Sequence, residues 1–255
     1  MTIIKRTLSK TIIEASETFP VILLTGPRQV GKTTLLIQLA GNNRKYVTLD
    51  DLEQRRLAAT DPALFLQINT PPVIIDEIQY APELFSYIKM HVDTYNQAGG
   101  FWLTGSQKFH LMKGIHETLA GRIAIIDLLG LSYREMTGKS DENIPFLPTK
   151  EKIAIIRKKV QKPRTLAQVY ETIWNGSFPK LHVDNYKNRD LFYRSYIKTY
   201  IERDVKDSYQ ISNELSFYNF IRSAAARSGQ LLNYADMARD VNIDPKTARL
   251  WLSIL

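Results

Sequence analysis

Short, uninterrupted apolar runs punctuate the first half of the chain. Val21-Ile22-Leu23-Leu24, Val73-Ile74-Ile75, Phe101-Trp102-Leu103 and Ile123-Ala124-Ile125-Ile126 are too short for buried helices, and Tyr46-Val47-Thr48-Leu49 is a fifth, β-branched run. Such runs predict strands covered on both faces. Helical segments lie between them: Lys5 to Glu17, Lys32 to Leu39 closed by Gly41-Asn42-Asn43, a segment opened by Asp51, and one started by Asp61-Pro62 with Leu64, Phe65 and Ile68 on its core face. Pro82-Glu83 leads a further helix through Tyr95. Alternating strands and helices predict an α/β unit, a parallel sheet flanked by helices on both sides.

The pattern changes at residue 138. Gly138 to Pro148 is rich in Gly, Ser, Asp, Asn and Pro, as an exposed linker would be. A helix with Ile153, Ile155 and Ile156 turned inward is expected next, then a turn at Trp174-Asn175-Gly176-Ser177-Phe178-Pro179. Asn188 to Tyr209 reads as a long helix whose Tyr193, Tyr196, Ile197 and Tyr200 share an aromatic packing face. Three helices close the chain, over Leu215–Ser228, Tyr234–Asp240 and Pro245–Leu255, the last capped by Asp244. The short Val241-Asn242-Ile243 connection gives a helix-turn-helix reading with Lys246, Thr247 and Arg249 near the start of the second helix. The chain therefore divides into a core over 1–137, a linker and helical adapter over 138–210, and a trihelical, partial winged-helix-like domain over 211–255.

The chemistry begins directly after the first apolar run. Gly26-Pro27-Arg28-Gln29-Val30-Gly31-Lys32-Thr33-Thr34 fits the phosphate-cradling G-x-x-x-x-G-K-[ST] pattern between a strand and a helix. Gly26 and Gly31 allow the backbone to turn N–H groups toward an anion, and the start of the helix adds its dipole. Lys32 is expected to reach the β- and γ-phosphates of ATP, and the Thr33 hydroxyl to ligate Mg²⁺. Arg28 either touches phosphate or faces solvent.

Asp76, 44 residues beyond Lys32, ends an apolar run together with Glu77. A strand-end acidic pair of this kind suits Asp76 for holding Mg²⁺ and Glu77 for orienting or deprotonating the attacking water. Thr104, Ser106 or Gln107 follows the next strand, at the sheet edge where ligands gather. Arg122 precedes the run at Ile123. An arginine there can offset charge on a transferred phosphoryl group in its own site or a neighbour's, or simply pair with a surface acid.

The phosphate loop, Val73-Ile74-Ile75-Asp76-Glu77-Ile78-Gln79, Leu103-Thr104-Gly105-Ser106 and Leu119-Ala120-Gly121-Arg122 together resemble the prokaryotic AAA-like (AAA_14) P-loop ATPases with a C-terminal DUF4143-type domain. The segment Tyr200-Ile201-Glu202-Arg203-Asp204 is similar to part of that second domain. The resemblance implies Lys32 and Thr33 as Walker A ligands, Asp76 and Glu77 as the Walker B pair, Ser106 as a sensor-like residue and Arg122 as an arginine finger completing a homo-oligomeric site. It also implies further sequence after residue 255, with the winged part incomplete as it stands.

Charge and composition narrow the remaining classes. Lys150, Lys152, Arg157, Lys158, Lys159, Lys162 and Arg164 against Glu151 hold most of the chain's net charge of +8. That permits nucleic-acid contact, but no aromatic residues interleave, and a solvated helix accounts for it. Cysteine is absent, which excludes disulfides and thiol catalysis, and the four His have no zinc-ligand spacing. No apolar run approaches the roughly 20 residues that cross a bilayer, so a cytoplasmic protein is expected, with no membrane partner. An ATPase is the leading expectation, and the lack of an Asn-Lys-x-Asp guanine motif favours ATP. A nucleotide-regulated DNA-binding protein using the helix-turn-helix, and a protein-interaction module with slow ATPase, stand as alternatives. A small-molecule kinase fits less well, because the acidic pair suits activation of water.

Overall fold

The computed structural model describes residues 3–106, 118–142, 148–159, 163–183, 188–200 and 213–255. The chain forms two compact units, 1–187 and 188–255. In the first, α1 (Ser9–Thr18) leads to β1 (Val21–Thr25), α2 (Lys32–Ala40), β2 (Lys45–Thr48), α3 (Leu52–Thr60), α4 (Pro62–Ile68), β3 (Val73–Asp76), α5 (Leu84–Tyr95), β4 (Phe101–Gly105) and β5 (Ile123–Asp127). A short α6 (Tyr133–Met136), α7 (Lys150–Lys159) and α8 (Leu166–Asn175) follow.

The five strands are all parallel, in the order β2-β3-β4-β1-β5. The fully buried runs of β1, β3 and β4 occupy the three central places, where both faces are covered. Side chains alternate between two cores. Val21, Leu23, Val73, Ile75, Phe101 and Leu103 face one core with Phe65, Phe85 and Ile88, whereas Ile22, Leu24, Ile74 and Trp102 face another with Ile12, Leu35 and Leu36. At roughly 1.5–3 kcal/mol for each large apolar side chain buried, these two layers dominate the energetics of the unit. Because every strand points the same way, the C-terminal ends of β1, β3 and β4 lie side by side. The residues of the phosphate loop, the acidic pair and the Thr104–Ser106 turn meet there.

Caps fix several element starts that the sequence predicts. Asp51 accepts from the N–H groups of Glu53 and Gln54, and Asp61 from that of Leu64 ahead of Pro62. The first helix starts at Ser9 and not at Lys5, since Lys5 and Arg6 are drawn into ion pairs with Asp141 and Glu135. The expected inward packing of α7 holds only in part, since Ile153 alone of its three isoleucines is half-buried. Ile155 is 51% exposed and Ile156 is exposed with it, so hydrophobicity at those positions does not report burial.

The second unit contains α9 (Arg189–Tyr200), α10 (Glu214–Ala226), α11 (Tyr234–Asp240) and α12 (Pro245–Ile254). Phe217, Phe220, Met237, Ala248 and Trp251 form its core, with Ile197 and Tyr200 packed against it. Both phenylalanine rings meet the Trp251 indole edge-on, at centroid separations of 5.2 and 5.6 Å. The aromatic face of α9 is anchored by buried Phe192, which stacks near Tyr196. Ile201 to Asp204, and Gln107 in the first unit, lie outside the described residues.

Candidate nucleotide site

The phosphate loop leaves β1 at Thr25 and enters α2 at Lys32. Gly26 has φ +139°, Gln29 +62° and Gly31 +92°, so the turn is built from conformations that side chains disfavour. Gly26 is required twice over, because a Cβ there would lie 2.1 Å from the Leu128 carbonyl oxygen. Gly31 meets nothing within 4 Å, which leaves open space over the loop at the start of α2. Val30 is buried in the second core and anchors the loop from beneath, while Pro27, Gln29 and Thr34 are exposed and Arg28 half-buried. Lys32 is only 7% exposed, and its ammonium donates to the carbonyls of Gly26 (3.0 Å) and Pro27 (2.9 Å). It thus lies folded along its own loop, inside the cradle that an anion would share.

Two residues that sequence reasoning missed hold this loop in place. The Arg6 guanidinium donates to the Val30 carbonyl at 2.8 Å and to the Leu129 carbonyl at 2.7 Å, and pairs with Glu135 at 3.1 Å. Glu135 also accepts from the N–H groups of Thr7 and Ser132, each at 2.7 Å. Burial pushes its carboxyl up, but the Ser132 and Thr7 N–H groups and the Arg6 charge outweigh it and leave the group below its ordinary range. The signal for Glu135 was visible: Ser132-Tyr133-Arg134-Glu135 is a capping box, and both of its reciprocal bonds form. No local pattern announces Arg6.

The acidic pair stands beside the loop. Asp76 is 6% exposed at the end of β3, and the Thr33 hydroxyl lies 3.0 and 3.1 Å from its two oxygens. The Thr104 hydroxyl donates to Oδ1, and the Tyr46 phenol donates to Oδ2 at 2.9 Å. Burial and the neighbouring Asp76 charge push the Tyr46 phenol up to about 12. Glu77 adopts the left-handed conformation at φ +55°. Its carboxylate accepts from the Gln79 amide and lies 3.4 Å from the Ser106 hydroxyl. The Gln79 side-chain Oε1 is buried without a partner among the described residues, and its Nε2 bonds Glu77.

Arg122 is the expected site residue that the fold does not bring to this cluster. Val21 at the start of β1 is paired with Ile123, and the Val21 N–H donates to the Arg122 carbonyl. Arg122 therefore lies at the opposite end of β1 from the phosphate loop, roughly 15 Å along a five-residue strand. Its guanidinium pairs there with Asp93 on α5. That position keeps it from the phosphates of its own loop, and the surface pairing that the sequence also allowed is the one the fold makes.

Lys32, Thr33 and Asp76 offer one ammonium, one hydroxyl and one carboxylate around an open glycine cradle. Hard oxygen donors of this kind and number suit Mg²⁺, which takes few protein ligands when phosphates complete its shell. No group of three or more His, Cys, Asp or Glu able to hold a metal occurs among the described residues, so the site does not suit an all-protein metal cage. No described helix is long and apolar enough to cross a membrane.

The fold is that of the P-loop NTPases. Residues 18–137 match the AAA domain family AAA_14, and residues 166–255 match a domain of unknown function, DUF8612. The second match corrects the DUF4143 expectation, which rested on the ATPase motifs together with the short sequence segment Tyr200 to Asp204. The chain is 28% identical over 261 residues to uncharacterized proteins of Mycobacterium tuberculosis and Mycobacterium bovis, covering 100% of this chain and 52% of each of those proteins. It thus spans about half the length of the curated relatives it matches. Among solved structures, the Walker-type ATPase of Pyrococcus abyssi is similar at 15% identity, with a TM-score of 0.52 over 98% of this chain and 96% of that one. That likeness is one of fold.

Proposed function

We propose that the chain binds ATP with Mg²⁺ and hydrolyses it to ADP and phosphate. The observation that carries this reading is the bond between the Thr33 hydroxyl and Asp76, which joins the start of α2 to the end of β3 with Glu77 one residue further on. Thr33 and Asp76 would hold the metal, which when bound supplies positive charge across the β- and γ-phosphate oxygens. Lys32 exchanges its two loop carbonyls for phosphate oxygens, a swap of neutral for charged acceptors that favours binding. The loop N–H groups and the first turn of α2 face the same anion. Glu77, held by Gln79 and near Ser106, accepts a hydrogen bond from water and aligns it with the γ-phosphorus. Ser106 lies close enough to Glu77 to link that alignment to the state of the γ-phosphate. Arg122 supplies its charge to the site of a second copy, so turnover per subunit rises with protein concentration. Nucleotide binding and turnover by Lys32→Ala and Glu77→Gln test the assignment, the first losing binding and the second losing turnover alone.

A second reading, nucleotide-regulated DNA binding, is favoured by the 188–255 unit. There α11 and α12 are joined by the four residues Val241 to Asp244, with Asn242 in the left-handed region, and Lys246 and Arg249 exposed in α12. That is the turn length of a helix-turn-helix. Duplex binding that weakens with salt and changes with ATP supports this reading, and salt-insensitive or absent binding removes it.

A further inference from the structure

Tyr46 belongs to β2, the edge strand of the sheet, yet its hydroxyl reaches the centre of the site. In the β2–β3 register Tyr46 is paired with Ile74 and Thr48 with Asp76, so Tyr46 is the diagonal neighbour of Asp76 on one face. A diagonal separation of about 7–8 Å between backbones is within reach of an aromatic side chain. The phenol donates to Asp76 Oδ2 at 2.9 Å. At the end of the same strand the Asp50 N–H donates to Thr48 Oγ1 at 3.2 Å.

Among the donors that Asp76 receives, Thr33 comes from the phosphate loop and Thr104 from the adjacent central strand. Tyr46 alone of these three comes from the sheet edge, and its 41% exposure leaves the ring open to solvent on one side. A bond from this direction restrains rotation of the carboxylate about its last torsion, which is otherwise broad.

We propose that Tyr46 is a positioning residue for Mg²⁺: its hydroxyl holds the Asp76 carboxylate in the orientation that Thr33 and the water shell of the metal must meet. The edge strand then contributes to metal affinity without touching metal or nucleotide, as outer-shell partners do. This rests on the nucleotide-binding reading above.

The test is the binding of a fluorescent ATP analogue to the full chain, titrated with Mg²⁺ and repeated in EDTA, for the unaltered protein, Tyr46→Phe and Tyr46→Leu. Both variants should need about tenfold more Mg²⁺ for half-maximal enhancement of binding, the usual cost of losing an outer-shell partner. Affinity in EDTA and the melting temperature of Tyr46→Phe should stay as in the unaltered protein. A Tyr46→Phe curve that superimposes on the unaltered one overturns the proposal, as does a shift seen with Leu alone, which would assign the effect to the ring. An equal loss of affinity in EDTA overturns it too, because the role would then be structural. If the unaltered protein binds no nucleotide at any Mg²⁺ concentration, the nucleotide reading itself fails.

Discussion

Arg6 and Val30 are joined across the base of the phosphate loop by a 2.8 Å bond from the guanidinium to the carbonyl oxygen. The same guanidinium is paired with Glu135, and both side chains are almost wholly buried, at 7% and 6% exposure. The conformation of a loop made for anions is thus set partly by a cation that never meets the ligand. Arg6→Ala leaves Glu135 charged and buried without its ionic partner, a loss worth about 3–5 kcal/mol. Urea unfolding should register that destabilisation, and the nucleotide affinity of the folded fraction should fall as the loop loses its clamp.

Acid should weaken the same contact. The folded-state pKa of Glu135 lies below its unfolded value, so its contribution to stability is present above the ordinary carboxylate range, near pH 4.3. That contribution is lost as pH falls through the folded value. Glu135→Gln removes the titration, and its melting temperature should fall less steeply between about pH 5 and pH 3 than that of the unaltered protein. Parallel melting curves for the two proteins would contradict this role.

The two loop glycines should respond differently to alanine. At Gly26 the added Cβ collides with the Leu128 carbonyl at 2.1 Å, and the backbone sits at φ +139°. Binding should be abolished and thermal stability lowered. At Gly31 the Cβ meets open space, leaving chiefly the left-handed strain of about 1–2 kcal/mol. Gly31→Ala should therefore fold nearly as well while binding nucleotide more weakly, which calorimetry and a nucleotide titration would separate.

Arg122 gives a prediction about assembly. From the far end of β1 it does not reach its own loop, so on the proposed role in a second copy Arg122→Ala should leave ATP affinity unchanged and abolish the rise in specific activity with concentration. Mixing Arg122→Ala with Lys32→Ala should restore part of the turnover, because the intact Arg122 of the second variant can complete the intact loop of the first. No recovery on mixing would return Arg122 to its ion pair with Asp93.

What the sequence made legible was local or strongly periodic. The runs at Val21, Val73 and Phe101 could be recognised because central parallel strands are buried on both faces, and the phosphate loop because all its consensus positions are contiguous. Ser106 was singled out by the general rule that ligands collect at strand ends, and it lies 3.4 Å from Glu77. Tyr46 and Arg6 were hidden because their partners lie 30 and 129 residues away and are met only through the register of the sheet and the docking of the N-terminal segment. Ile155 and Ile156 show the converse error, since apolar character predicts a preference for burial and the fold supplies no cover for them. The end of the sheet at which Arg122 lies follows from strand direction alone, but that requires knowing that β5 runs parallel to β1.

Glu77→Gln tests the central claim most directly, since it removes the carboxylate's charge and leaves the loop, Thr33 and Asp76 in place. Steady-state phosphate release and ATP affinity should be measured together, with Mg²⁺, for this variant and the unaltered protein. The account predicts ATP binding within about twofold of the unaltered protein and turnover reduced by about 10²-fold or more, the scale expected for losing a positioned general base. Full turnover in Glu77→Gln, or no ATP hydrolysis by the unaltered protein at any concentration, would contradict it.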